Sequence, residues 1–378
     1  MTDDRVLMAS DLPFELRMCP HLRPPREAPP VQRVRTPAGD EAWLVSGFTQ
    51  VRALLTDDRV GRSHPKPDER AQYAGNPGYD QVTATDHTMA DALHGLLREA
   101  LAPHFTARRM LAMRPRLQEL VDDQVIRLHT AGAPADLNED FSIPLVLRVI
   151  CELLGVPEED QDQCVELMRR VESGDVMGLA AYFGQLIVRL RAEPDESLLS
   201  KLTASGAPDE QVVQVAMLLQ FAGLGATVKQ IAYGFLLLAG NTEQRAALQA
   251  NPDLVPDAVE EMLRLSGSLS LPRYARADVE IANETVRDGD LVLLDLTAAN
   301  YDPDGFDSPE DFRLDRTPNR HLTFSHGVWT CLGAPLARVL LRTVVATMLT
   351  TELRPAGALE HRSGPLTGGL PEKLPVTW

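Results

Sequence analysis

Along most of the chain from residue 91 onward, apolar residues recur every three or four positions. Strand-like alternation is confined to shorter stretches. The helical spacing predicts helices over Asp91–Ala102, Arg108–Thr130, Pro144–Leu154, Glu158–Val171, Val176–Arg191, Glu210–Ala239 and Pro256–Leu265, with a last helix from Pro335 to Glu352. Near the start, Pro30-Val-Gln-Arg-Val-Arg35 and Ala42-Trp-Leu-Val45 read as strands, followed by a helix over Thr49–Asp57. Strand signals return at Asp278–Ile281, Leu291–Leu294 and in the tail Leu374-Pro-Val-Thr-Trp378. Ser63 to Asp86, punctuated by Pro65, Pro67, Gly75, Pro77 and Gly78, reads as a long loop. Neither an internal repeat nor a flexible linker interrupts this pattern. It predicts a single, mainly α domain over residues 1–378 with a small β-sheet region.

One segment passes for a membrane span. Gln211 to Val228 carries no charge and is rich in Val, Leu, Ala and Met, at the lower edge of a spanning length. Gln211, Gln214, Gln220 and two glycines interrupt it and Lys229 follows, so a buried helix of a large soluble protein is expected. The formal net charge of −17 argues against nucleic acid and anionic membrane as partners. Cys19, Cys151, Cys164 and Cys331 show neither paired metal spacing nor a disulfide framework, which fits a reducing cytoplasm and gives a structural zinc site no support. The first residues lack an apolar signal run.

Chemistry concentrates in Phe324-Ser-His-Gly327-Val-Trp329-Thr-Cys331-Leu-Gly333-Ala-Pro335-Leu-Ala-Arg338. Gly327 and Gly333 permit a tight loop that approaches a flat ligand. Pro335 and the apolar spacing after it start a helix, so Cys331 stands just before a helix N-terminus, where thiolate is favoured over thiol. A lone cysteine is otherwise an ordinary buried residue. Two further spacings matter. Glu261 and Arg264 share a helix face, which by itself is no more than a surface ion pair. His94 and Arg98, four apart, also face one way.

The cysteine string resembles the axial-ligand loop of the cytochrome P-450 family, and the resemblance spans nearly the whole chain, from Trp43-Leu-Val to Leu374-Pro-Val. It implies the fold of that family, with one haem b (iron protoporphyrin IX) between the long central helix and the cysteine-loop helix. Cys331 would be the axial thiolate, framed by Phe324, Gly327, Trp329 and Gly333. Glu261, Arg264 and Arg316 match the family's structural triad. His94, Arg98 and Arg273 match its propionate partners, for which arginine's two-pronged donor geometry is suited. Trp329 departs from the pattern, which has a propionate-binding histidine there; an indole N–H donates one hydrogen bond but carries no charge.

A second departure concerns Phe221-Ala222-Gly223-Leu224-Gly225-Ala226-Thr227, similar to the family's oxygen groove. Ala222 and Gly223 are small as expected, but Gly225 and Ala226 replace the acid and hydroxyl that relay protons. Thr227 is rotated by roughly 100° from the hydroxyl position in a regular helix and needs a local distortion to substitute. A third departure is a short lid, with little more than Ser173-Gly-Asp175 between two helices. By family position, Thr83–Met89, Gly178–Phe183, Leu219–Ala222, Ser268–Leu271 and Gly368–Leu370 line the pocket.

The resemblance implies a haem-thiolate oxidoreductase that uses dioxygen and electrons from ferredoxin and ferredoxin reductase. Arg98, Arg108, Arg109, Arg338 and Arg342 are candidates for a basic docking face. The substrate is expected to be a natural product, a small molecule or short peptide. Its tailoring is either hydroxylation or, given the missing relay, aryl or phenol coupling. A haem-binding sensor that does not turn over is the rival from another class.

Overall fold

A computed structural model describes residues 29–36, 38–64, 66–73, 87–171, 174–266, 270–357, 360–361 and 371–378. The chain forms two compact units, each assembled from separate stretches. Met1–Leu101, Gly240–Ala334 and Glu360–Glu372 make the first; Ala102–Ala239, Pro335–Leu359 and Lys373–Trp378 make the second. The chain is mostly helical with small sheets, as the hydrophobic pattern predicts.

In the first unit a five-stranded sheet runs in the order Val31–Arg35, Glu41–Val45, Leu291–Asp295, Ser270–Ala275 and Val60–Gly61. Strand Leu291–Asp295 pairs parallel with Glu41–Val45 (Trp43 opposite Val292) and antiparallel with Ser270–Ala275. Its unbroken apolar run reflects burial on both faces. Val292 and Leu294 join Trp43 and Val45 in one core cluster, while Leu291 and Leu293 join Leu44 and Tyr274 in another. Helices Phe48–Leu54, His87–Leu101, Thr242–Ala250, Val255–Leu265 and Leu296–Asn300 complete the unit. Asp302 Oδ2 accepts from the Phe48 amide at 2.6 Å, holding the first of these in place.

In the second unit the expected helix Arg108–Thr130 is two, Ala107–Ala112 and Arg114–Ala131. Pro115 lies in the first turn of the latter, and having no N–H it cannot continue a helix from upstream. Ile143–Leu154, Gln161–Arg170, Val176–Ala192 and Leu198–Ala204 follow, with the long helix Asp209–Gly240 and the last helix Ala334–Thr350. A three-stranded sheet joins the tail strand Pro375–Thr377 to Ala135–Asp136 and Arg354–Pro355.

Asp209–Gly240 is the helix among the described residues long and apolar enough to cross a membrane. Its second half is enclosed by protein, with Val228, Ile231, Ala232, Tyr233, Phe235, Leu237 and Leu238 all buried. That is the environment of a core helix.

Candidate functional site

The segment leading into the cysteine loop rests on a hydrogen-bonded foundation built on helix Val255–Leu265. Glu261 and Arg264 have side chains with no exposure, and Arg316 is nearly as enclosed. Arg264 grips both Glu261 oxygens, at 2.8 and 2.7 Å, while Arg316 Nε lies 2.9 and 3.1 Å from the same pair. Asn319 Nδ2 and the Arg313 amide add donors to the carboxylate at 2.9 and 3.2 Å. The other guanidinium nitrogens donate to the carbonyls of Asn300, Pro309, Asp307 and Ser308. A buried carboxylate between two guanidinium groups is tolerable only with this degree of saturation. The spacing of Glu261 and Arg264 alone suggested a surface pair; burial makes it something else.

Asn300, itself buried, connects this network to the loop. It receives Leu322 N on Oδ1 at 2.7 Å and donates to Thr323 Oγ1 at 2.9 Å, and Thr323 donates onward to the Leu263 carbonyl at 2.8 Å. The loop then turns sharply, with positive φ at Ser325 (61°) and Gly327 (67°). At Gly327 a Cβ would also stand 2.9 Å from Thr56 Cγ2 and 3.1 Å from the Leu55 carbonyl, so conformation and space both require glycine. The Cys331 amide closes the turn by donating to the Phe324 carbonyl at 2.8 Å, and the thiol is left exposed at the start of helix Ala334–Thr350. A Cβ on Gly333 would sit 3.8 Å from the sulfur, so the glycine keeps this side of the thiol open.

Beside the loop, cations gather on Trp329. The His94 ring lies 3.9 Å from the indole centroid to centroid, and the guanidinium groups of Arg62 and Arg273 lie 4.5 and 5.5 Å from the ring centre. Arg98 Nη1 donates to the Thr330 carbonyl at 2.6 Å. The sequence pointed to His94, Arg98, Arg273 and Trp329, which the fold brings together; it gave no sign of Arg62, whose role depends on where a strand ends. Burial, then the positive charges of Arg62 and Arg98, push the His94 pKa from 6.5 down to about 4. His94 is therefore neutral at pH 7 and offers a hydrogen bond, not a charge. Its unfolded form takes up a proton before its folded form does. Stability of the cofactor-free protein should accordingly be full above pH 6.5 and fall as pH drops towards 4. Urea midpoints across that window should show the decline in wild type and a flatter curve in His94→Gln; identical curves would contradict it.

In the second unit the long helix presents an apolar stripe. Leu218 and Phe221 are 44% and 78% exposed, and Ala222, Gly225 and Ala226 are exposed on the same side. The helix is α throughout, so no distortion brings Thr227 round to the Ala226 position; Thr227 stays half-buried. A Cβ on Gly223 would meet Ile150 Cδ1 at 3.4 Å, whereas a Cβ on Gly225 would meet nothing within 4 Å. Gly178–Phe183, expected to line a pocket, is largely core: Leu179, Tyr182 and Phe183 are buried, and the exposed neighbours are Met177 and Ala181. The lid connection is as short as expected, with Asp175 capping the second helix through Gly178 N at 3.2 Å. Its Ser173 lies outside the described residues, as do Thr83–Asp86, 268–269 and Gly368–Leu370.

Of the five arginines expected to form a basic face, Arg108 is exposed and the other four are half-buried. Arg98 is turned to the Thr330 carbonyl, and Arg109 Nη2 lies 3.5 Å from the Glu196 carbonyl.

An exposed thiol at a helix start and a cationic cluster around an adjacent indole suit a flat metal-bearing group with anionic arms. Comparison with known proteins agrees. A family model described as cytochrome P450 matches residues 191–351. The chain is 35% identical over 391 residues to pentalenolactone synthase of Streptomyces exfoliatus, covering 97% of this chain and 98% of that one. It is 38% identical over 378 residues to mycinamicin IV hydroxylase/epoxidase of Micromonospora griseorubida, covering 93% and 94%. The substrate-free structure of cytochrome P450 PimD, a polyene macrolide antibiotic pimaricin epoxidase, superposes with a TM-score of 0.87 at 38% identity, covering all of both chains.

Proposed function

Since this chain belongs to the cytochrome P450 family, whose soluble bacterial members carry haem b, we propose that Cys331 is the axial thiolate of that haem in an enzyme that tailors a natural product. The observation that carries the reading is the exposed Cys331 thiol, fixed by its amide to Phe324 and backed by a helix N-terminus. Haem bound there supplies dioxygen activation, driven by electrons delivered from outside the chain. Small-molecule substrates and ferredoxin-type donors are general to such enzymes. The particular donor and the cytoplasmic setting are part of this proposal, as is one functional domain spanning the chain.

Under this reading the residues of each unit have separate tasks. Glu261, Arg264, Arg316 and Asn300 hold the cysteine loop. Arg98 and Arg273 supply positive charge for the propionates and His94 a neutral donor. Leu218, Phe221, Ala222 and Gly225 give the long helix an apolar face with no ionic anchor, suited to a large uncharged substrate. A relative named as a hydroxylase/epoxidase at 38% identity favours oxygen insertion as the reaction.

Gly225 and Ala226 support a second reading. Neither side chain can hold a proton, so protons come from a water chain or from a hydroxyl of the substrate. Chemistry that depends less on this delivery, such as aryl or phenol coupling of a small peptide, removes two hydrogens and adds no oxygen. Turnover under labelled dioxygen separates the readings: insertion adds one labelled oxygen to the product, and coupling yields a product lighter than the substrate. Gly225→Asp with Ala226→Thr restores an acid and a hydroxyl where a Cβ meets open space, and should lower the share of reducing equivalents lost as peroxide. An unchanged partition would show that protons do not travel along this helix face. Haem binding without any substrate-dependent consumption of reducing equivalents would favour the sensor.

A further inference from the structure

The charge absent from Trp329 is supplied from elsewhere in the same unit. Arg62 follows strand Val60–Gly61, and its guanidinium lies over the Trp329 ring at 4.5 Å, where the Arg273 guanidinium also approaches, to 5.5 Å. A firm clamp sets this placement. Arg276 crosses strand residue Gly61 so closely that a Cβ there would fall 2.1 Å from the guanidinium carbon. It then pairs with both oxygens of Asp91, at 2.6 and 3.0 Å. Asp91 lies one turn before His94 on helix His87–Leu101, so the clamp ties the strand carrying Arg62 to the helix carrying His94 and Arg98.

We propose that Arg62 is a cofactor-carboxylate partner of this chain, and that Trp329 is the aromatic plate that positions it. Stacking on an indole orients a guanidinium so that its N–H groups lie at the edge of the stack, the geometry from which a guanidinium meets a carboxylate. The arrangement also gathers three guanidinium groups, those of Arg62, Arg98 and Arg273, around one small region. Their mutual repulsion is relieved when a dianionic group enters. Burial is the first cause of the depressed His94 pKa, and the same positive field lowers it further, with Arg62 first among the charges acting on it. A histidine at position 329 would bring its own hydrogen bond or charge; a tryptophan there borrows the charge of Arg62.

This inference rests on haem b being the cofactor, and its test separates the two. Holoenzyme is mixed with excess apomyoglobin and the rate of haem transfer is followed. Arg62→Ala should release haem about tenfold faster than wild type, the effect of one charge-assisted hydrogen bond, with Arg62→Lys between them. Its reduction potential should move to a more negative value, because a positive charge near the ferric centre is gone. Trp329→His in the Arg62→Ala background should recover slow release. Protein reconstituted with the dimethyl ester of haem should show no difference between wild type and Arg62→Ala, which also excludes a general loss of fold. Equal release rates with native haem, or equal acceleration with the ester, would overturn the role of Arg62. A wild-type protein that holds no haem would overturn the cofactor assignment itself.

Discussion

Glu261→Ala is expected to yield protein that is destabilised by about 3–5 kcal/mol and purifies largely without haem, because removing one member of a buried ion cluster strands the others. A typical domain has only about 5–15 kcal/mol to lose. Arg264 and Arg316, with side chains 0% and 6% exposed, would face each other with no carboxylate between them. Their remaining carbonyl partners satisfy N–H groups but do not neutralise charge. The damage should reach the cysteine loop through Asn300, which accepts from Leu322 and donates to Thr323 Oγ1. Glu261→Gln keeps the volume and should be intermediate. Urea unfolding and the ratio of haem to protein check this; wild-type values for Glu261→Ala would mean the cluster does not support the loop.

Cys331→Ala is expected to keep the fold and some haem, since the cationic residues around Trp329 are untouched, but to lose turnover by several orders of magnitude. The thiolate donates electron density that no other side chain in this loop can provide. The turn is closed by the Cys331 amide, which donates to the Phe324 carbonyl, and by the positive φ of Gly327, and both remain in the variant. Product formation with surrogate electron donors, measured beside a melting curve, distinguishes lost chemistry from lost structure. A folded Cys331→Ala enzyme with wild-type turnover would remove the thiolate from the account.

What could be read from the sequence was local. The unbroken run at Leu291–Leu294 and the helix-framed cysteine loop carry their meaning within a few residues. Features decided by distant partners were not visible. Strand Ser270–Ala275 contains Pro272 and lacks a clean alternation; it is a strand because Leu291–Asp295 and Val60–Gly61 pair with it. Helix Leu296–Asn300 has five residues, too few for a periodic signal, and is defined by the Asp295 cap on Ala298 N. The expected end of the long helix at Ala239 is close to the observed one, but helix Thr242–Ala250, which follows after a single break at Asn241, is not among the predicted helices. Arg62 looked like any loop arginine, and its place over Trp329, next to the clamp of Arg276 on Asp91, shows only in the fold. Asn300 likewise gained its function from burial. For the strand, the arginine and the asparagine the deciding energy lies in contacts between residues far apart in the chain.

The central claim, a haem held by the Cys331 thiolate, is tested most directly by reducing the purified wild-type protein under carbon monoxide and recording the Soret band. Thiolate ligation predicts a single strongly red-shifted band that is lost in Cys331→Ala. A band at the position given by histidine or thiol ligation in freshly prepared wild-type protein, or a red-shifted band that survives in Cys331→Ala, would contradict it.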